Sequence, residues 1–82
     1  MKYIKKQVVV DVIRWMGDNQ DEVTQFIGKH IFYVGHGQLE IPLERNISIA
    51  YTGDYIVKDQ FGESYAVSPE AFENSYMPFE GE

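Results

Sequence analysis

The sequence contains no cysteine, which excludes disulfides and thiolate metal ligation outright. Small secreted domains are usually stapled by disulfides, so this lack points to a reducing, cytosolic setting. Histidine occurs only at His30 and His36, without helical i, i+4 spacing or a carboxylate at ligand distance along the chain. Neither a metal nor a cofactor is therefore expected, and His36, between two glycines, reads as a turn residue. No segment approaches the roughly 20 apolar residues that cross a bilayer. Lys2, Lys5 and Lys6 ahead of Val8-Val9-Val10 resemble the charged start of a leader peptide, but Asp11 and Arg14 interrupt the apolar run too early. No membrane association is expected.

Positive charge is the other scarcity. Residues 53–82 carry Lys58 alone against Asp54, Asp59, Glu63, Glu70, Glu73, Glu80 and Glu82, so the whole formal charge of −6 falls there and residues 1–52 are neutral. Such a field repels phosphate backbones and favours basic partners. Direct nucleic-acid binding, whose affinity comes mostly from Lys and Arg neutralising phosphates, is not expected. Ordinary solubility would call for no more than this charge.

What remains is a short chain rich in core formers. Its 82 residues make one domain, 1–82, with about 78–82 as a tail after Pro78. A chain this size buries only a little over about 60% of the surface its unfolded form exposes, so bulky side chains must supply the core. With 44% apolar and 15% aromatic residues, six of them Tyr, disorder is not expected. Trp15, Tyr33, Tyr51, Tyr55, Tyr65 and Tyr76 are read mostly as core; a Tyr-rich sheet face is the first place to look for a binding surface.

Local patterning gives the elements. Residues 7–15 are β-branched and apolar on both faces, which reads as a central strand, with Asp11 either at a solvated margin or in a buried pair with Lys5, Lys6 or Arg14. Asn19 with Glu22 fits a capping box, Val23, Phe26 and Ile27 form one helical stripe, and Gly28 is a left-handed cap. Residues 30–34 form a strand and Gly35-His36-Gly37 its turn. Leu39, Ile41 and Leu43 alternate with Gln38, Glu40 and Pro42; Pro42 places that strand at an edge or bulge. Ile47, Ile49 and Tyr51 resume the alternation. Tyr55–Lys58 and Glu63–Val67 make a hairpin in which Gly62 is the left-handed residue after a type I turn. Ser68 caps a final helical turn begun by Pro69, with Phe72 and Tyr76 on one face. The order β-α-β-β-β-β-β-α with short connections predicts an α+β domain: a strongly twisted antiparallel sheet or partly open small barrel with two short helices.

No catalytic set emerges. Gly35-His36-Gly37 leads into a strand and not a helix, so it is no phosphate cradle. The carboxylates of Asp54 and Glu63 follow turn glycines, with nothing in the sequence to build a cleft around them. Ser48, Ser64, Ser68 and Ser75 lack a nucleophile-elbow setting.

Taken together, Lys5-Lys6-Gln7-Val8-Val9-Val10-Asp11-Val12-Ile13-Arg14-Trp15, Gly53-Asp54-Tyr55-Ile56-Val57-Lys58, Gly62-Glu63-Ser64-Tyr65 and Pro69-Glu70-Ala71-Phe72-Glu73-Asn74-Ser75-Tyr76 resemble a group of small proteins of tailed bacteriophages and prophages. The resemblance covers both ends, about half the chain. The chain departs from the group at Arg14 (Gln there), Ser64 (Phe there) and Ala66-Val67-Ser68 (Pro-Cys-Lys there), the last removing a thiol. The resemblance implies a phage origin and a life in the bacterial cytosol, and it brings no activity.

The expectation is therefore a non-enzymatic accessory protein that binds a host or phage protein. In a sharper form it is an inhibitor whose acidic C-terminal face, with Asp54, Asp59, Glu63, Glu70, Glu73, Tyr55 and Tyr65, stands in for nucleic acid. The alternative is a binder of a nucleotide or signalling metabolite; a homo-oligomer is compatible with either.

Overall fold

The structure is a computed structural model that describes residues 1–2 and 9–78. The elements follow the expected order: β1 (Asp11–Arg14), α1 (Gln20–Ile27), β2 (Phe32–Gly35), β3 (Gln38–Pro42), β4 (Ile47–Ala50), β5 (Tyr55–Lys58), β6 (Ser64–Val67) and α2 (Pro69–Ser75). Among the described residues the strands divide between two three-stranded sheets, β1-β5-β6 and β2-β3-β4, with every pairing antiparallel and no closed barrel. The fold is thus α+β. Gln7, Val8, Lys5 and Lys6, and the tail beyond Pro78, lie outside the described residues.

The two sheets enclose the core. Leu39, Ile41 and Ala50 from one meet Ile56 from the other, with Trp15, Val23, Ile27 and Ile31 closing the space. Small residues let the sheets approach: the Ala66 N–H donates to Ser48 Oγ at 2.9 Å, a bond from β6 to β4. The chain crosses between sheets at residues 51–54, where Asp54 N–H donates to Tyr51 O and the Asp54 carboxylate accepts from Tyr51 N–H.

The β1-β5-β6 sheet is covered on both faces. Ile13, Ile56 and Ala66 share a cross-strand row that faces the core. Val57, one position on, points to the opposite face and is also fully buried, beside Tyr65 and Val12 in the same row. Over that face lies α2, whose Phe72 stacks on Tyr55 with centroids 4.0 Å apart.

Three local expectations need correction. Among the described residues β1 is an edge strand, not a central one; of the two readings of Asp11 the solvated margin holds, since it is exposed across from Lys58. β3 is the central strand of its sheet despite Pro42. Leu43 N–H donates to Asn46 O, so the odd-numbered residues of β3 carry the bonds to β4 and the Pro42 nitrogen faces the other way. On that side β2 has already ended at Phe32, opposite Glu40, so no ladder bond is lost. Asn19, finally, precedes α1 without capping it through its side chain. Its amide instead accepts from Met16 N–H and donates to Arg14 O and to the Glu22 carboxylate, binding the end of β1 to the start of α1.

Other expectations hold as geometry. Gly28 takes the left-handed cap at φ 78°, and Ser68 Oγ accepts from Ala71 N–H at 3.3 Å with Pro69 opening α2. His36 and Gly37 both have positive φ, the signature of a two-residue type I′ hairpin turn.

Candidate interaction surface

The seven residues expected to form an acidic aromatic face are largely engaged by their own chain. Asp54 is buried and its carboxylate holds the Tyr51 N–H. Asp59 Oδ1 accepts from both Phe61 N–H and Glu63 N–H, which closes the β5–β6 turn. Glu63 Oε2 accepts from Glu44 N–H at 3.2 Å and ties that turn to the β3–β4 loop. Only Glu70 and Glu73, on α2, are exposed.

Tyr55 and Tyr65 are half-buried in the layer between α2 and the sheet. Tyr55 is held between the Arg14 guanidinium, 4.8 Å from its ring centre, and Phe72; Phe72 in turn stacks on Tyr76 at 4.9 Å. Burial, followed by a hydrogen bond to Tyr76, pushes the Tyr65 hydroxyl above its ordinary pKa. Of these six aromatics, then, Trp15 is core and Tyr55, Tyr65 and Tyr76 pack under α2, whereas Tyr33 and Tyr51 are exposed.

The cations near this region have structural roles. Arg14 Nε donates to Gly53 O at 2.9 Å, and Lys58 Nζ donates to Phe26 O at 3.0 Å, so each clamps a neighbouring segment. Among the described residues no three of His, Asp and Glu gather as metal ligands. His36 sits in its turn, and His30 packs edge-on against Phe32.

The open surface lies elsewhere. On the outer side of the β2-β3-β4 sheet, Phe32, Glu40 and Ile49 form one cross-strand row and Pro42 and Ile47 the next. Phe32, Ile47 and Ile49 are 47%, 56% and 43% exposed, and Tyr51 just beyond β4 is exposed too. Together these neighbouring side chains put a group of apolar residues in water, unlike the single exposed apolar residues scattered over an ordinary surface. Glu40 is the one charged residue in those rows.

Pro42 also borders an open cleft of about 400 Å³, with Leu43 and the 84%-exposed Phe61 as its apolar wall and Lys29, Glu44 and Glu63 as its charges.

Sequence patterning missed this face because alternation alone does not say which side is inward. Ser48 and Ala50 alternate with Ile47, Ile49 and Tyr51, and the larger set reads as core. The structure turns the small set inward, where Ser48 meets Ala66 and Ala50 packs against Leu39. Three small residues at one sheet-to-sheet approach were the available signal.

The class defined by these features is a small α+β domain of two antiparallel sheets with one sheet face left apolar and open. Comparison with protein-family models, with curated proteins and with solved structures finds no match in any of the three.

Proposed function

We propose that the domain is a non-enzymatic accessory protein of a phage or prophage that binds a host or phage protein through the outer face of the β2-β3-β4 sheet. The observation that carries this reading is the pair of rows Phe32–Glu40–Ile49 and Pro42–Ile47, apolar side chains held in water on the outer face of the sheet around a single carboxylate. A fitting partner surface is apolar with a lysine or arginine set to meet Glu40. The net charge of −6 steers such a partner in.

Nucleic-acid mimicry by the acidic C-terminal region has less support, because Asp54, Asp59 and Glu63 direct carboxylate oxygens at backbone amides. A phosphate-bearing ligand in the cleft would meet one lysine and two glutamates, an unfavourable balance. Among the described residues no helix is long and apolar enough to cross a membrane, and a place in the bacterial cytosol belongs to this proposal.

Capture from bacterial lysate, compared across variants, tests it. The Ile47→Lys/Ile49→Lys protein is expected to lose the partner that the wild type retains, and the Glu70→Gln/Glu73→Gln protein to keep it. Capture should persist in molar salt, where exposed charge pairs are screened. Loss of capture in the α2 variant and in salt, with the sheet variant unaffected, would overturn the reading.

A further inference from the structure

We infer that β2 pairs edge to edge with β2 of a second copy of this chain, forming a two-fold dimer with one continuous six-stranded sheet. This goes beyond the binding face proposed above, because it uses the strand edge and leaves the face open on both copies.

β2 is the outer strand of its sheet, and among the described residues only β3 pairs with it. An unpaired edge displays a row of free backbone donors and acceptors, and natural edges are blunted by lysine, proline, inward-pointing charge, bulges or shortness. β2 has the last two, in its four residues and the irregularity between Tyr33 and Gly35, but no lysine, proline or charge. Residues 30–39 contain no Asp, Glu, Lys or Arg at all, in a chain with a net charge of −6. Phe32, Tyr33 and Val34 are consecutive and yet 47%, 50% and 47% exposed, so the edge is apolar on both of its sides.

Charge selects the occupant. Two like-charged copies repel wherever carboxylates oppose one another, and this strand lets them meet without such a contact. In an edge pair the two Glu40 carboxylates sit three strand spacings apart, at least about 14 Å. That exceeds the Debye length of about 8 Å at physiological ionic strength. Stacking the two outer faces would instead press Glu40 into an apolar interface against its own copy, at a desolvation cost with no compensating cation. A basic partner, by contrast, has stronger attraction to carboxylate-bearing surfaces than to this uncharged strand. The irregularity between Tyr33 and Gly35 and the four-residue length keep the ladder short. The buried area is therefore below that of standard interfaces, and the dimer is weak and reversible.

Sedimentation velocity on the full chain, from low micromolar to near-millimolar concentration, tests this. The wild type is expected to pass from monomer to dimer. Val34→Lys, a charge placed on the edge, should raise the dimer dissociation constant about tenfold or more, the equivalent of about 1.4 kcal/mol. Ile49→Lys, on the face but two strands from the edge, should leave it unchanged. Amide hydrogen exchange of the wild type supplies a second measurement that needs no variant: the outward amides of Tyr33 and Val34 should exchange more slowly at high than at low concentration. A wild type that stays monomeric throughout overturns the inference. So does a dimer abolished by Ile49→Lys and indifferent to Val34→Lys, or one whose β2 amides gain no protection. Loss of dimerisation leaves the capture experiment above untouched, so the two proposals fail separately.

Discussion

Trp15 Nε1 donates to the carbonyl oxygen of Gly37 at 2.8 Å, and by this bond the residue after β1 in one sheet is fixed to the hairpin turn of the other. The same Trp15 continues the β1–β5 ladder through its backbone, accepting from Gly53 N–H at 2.7 Å and donating to Asp54 O at 2.9 Å. Its ring is fully buried among Val23, Leu39 and Ile56. One side chain thus fills the core and sets the relation between the sheets.

Trp15→Phe removes the donor and leaves a void where the larger ring was. Among the described residues the Gly37 carbonyl then retains Thr52 Oγ1 alone as a partner, at 3.1 Å. The lost bond and the cavity together should cost about 2–4 kcal/mol. For a domain of this size that lowers the melting temperature by more than about 10 °C. Far-UV circular dichroism is the suitable probe, since Trp15 is the chain's single tryptophan. An unchanged melt would mean that the sheets do not depend on this contact.

Gly37 offers a sharper test because Gly28 provides its control. Their φ angles are 76° and 78°, so an added side chain meets the same backbone strain at both. A Cβ at Gly28 would meet nothing within 4 Å, whereas at Gly37 it would overlap Thr52 Oγ1. Gly28→Ala should cost about 1 kcal/mol, the usual left-handed penalty. Gly37→Ala should cost about 1–2 kcal/mol more, since Thr52 must move and release its bond. In the double variant Gly37→Ala/Thr52→Ala the excess should shrink, and additive urea-denaturation energies would refute steric coupling.

How much of this was legible in the sequence depends on whether a residue's role is local or tertiary. The order of elements, the cap at Ser68, the left-handed Gly28 and the turn at Gly62 follow from chain-neighbour chemistry and are read correctly. The edge position of β1 and the central position of β3 depend on which strand lies alongside, and a proline at Pro42 misleads when its neighbour has already ended. The carboxylates show the same division. Asp54, Asp59 and Glu63 look like surface charge in sequence, yet Asp54 and Asp59 turn back on amides of their own turns and Glu63 reaches the Glu44 amide of the β3–β4 loop. The apolar outer face was hidden because Ile47 and Ile49 carry a core signature.

Ser64 is the counterexample to satisfied burial. It is 4% exposed, and its hydroxyl finds no hydrogen-bond partner among the described residues. A buried hydroxyl without a partner carries a desolvation cost and returns nothing for it. Ser64→Ala should therefore leave stability unchanged or raise it by about 0.5–1 kcal/mol, reversing the usual sign for a buried deletion. A loss above about 1 kcal/mol in urea denaturation would show that the hydroxyl is bonded after all.

The layer beneath α2 gives the protein an alkaline limit. Burial and the bond to Tyr76 raise the Tyr65 hydroxyl above 10.0, with Asp59 and Glu63 adding smaller contributions of the same sign. The folded chain therefore holds that proton after the unfolded chain has released it. The stability that Tyr65 contributes is fully present below pH 10.0 and declines as pH rises from there through the folded-state value. Urea midpoints for the wild type should be level between about pH 8 and 9 and fall once the pH passes 10.0. Tyr65→Phe abolishes this group's share of the decline, at a cost of about 1 kcal/mol near neutral pH for the lost hydrogen bond. Tyr76→Phe keeps Tyr65 buried but removes its partner, so its alkaline slope should lie between the two. Parallel curves for all three proteins would show that this pair of hydroxyls has no part in the pH dependence, and that α2 is held by the Tyr55–Phe72–Tyr76 stack alone.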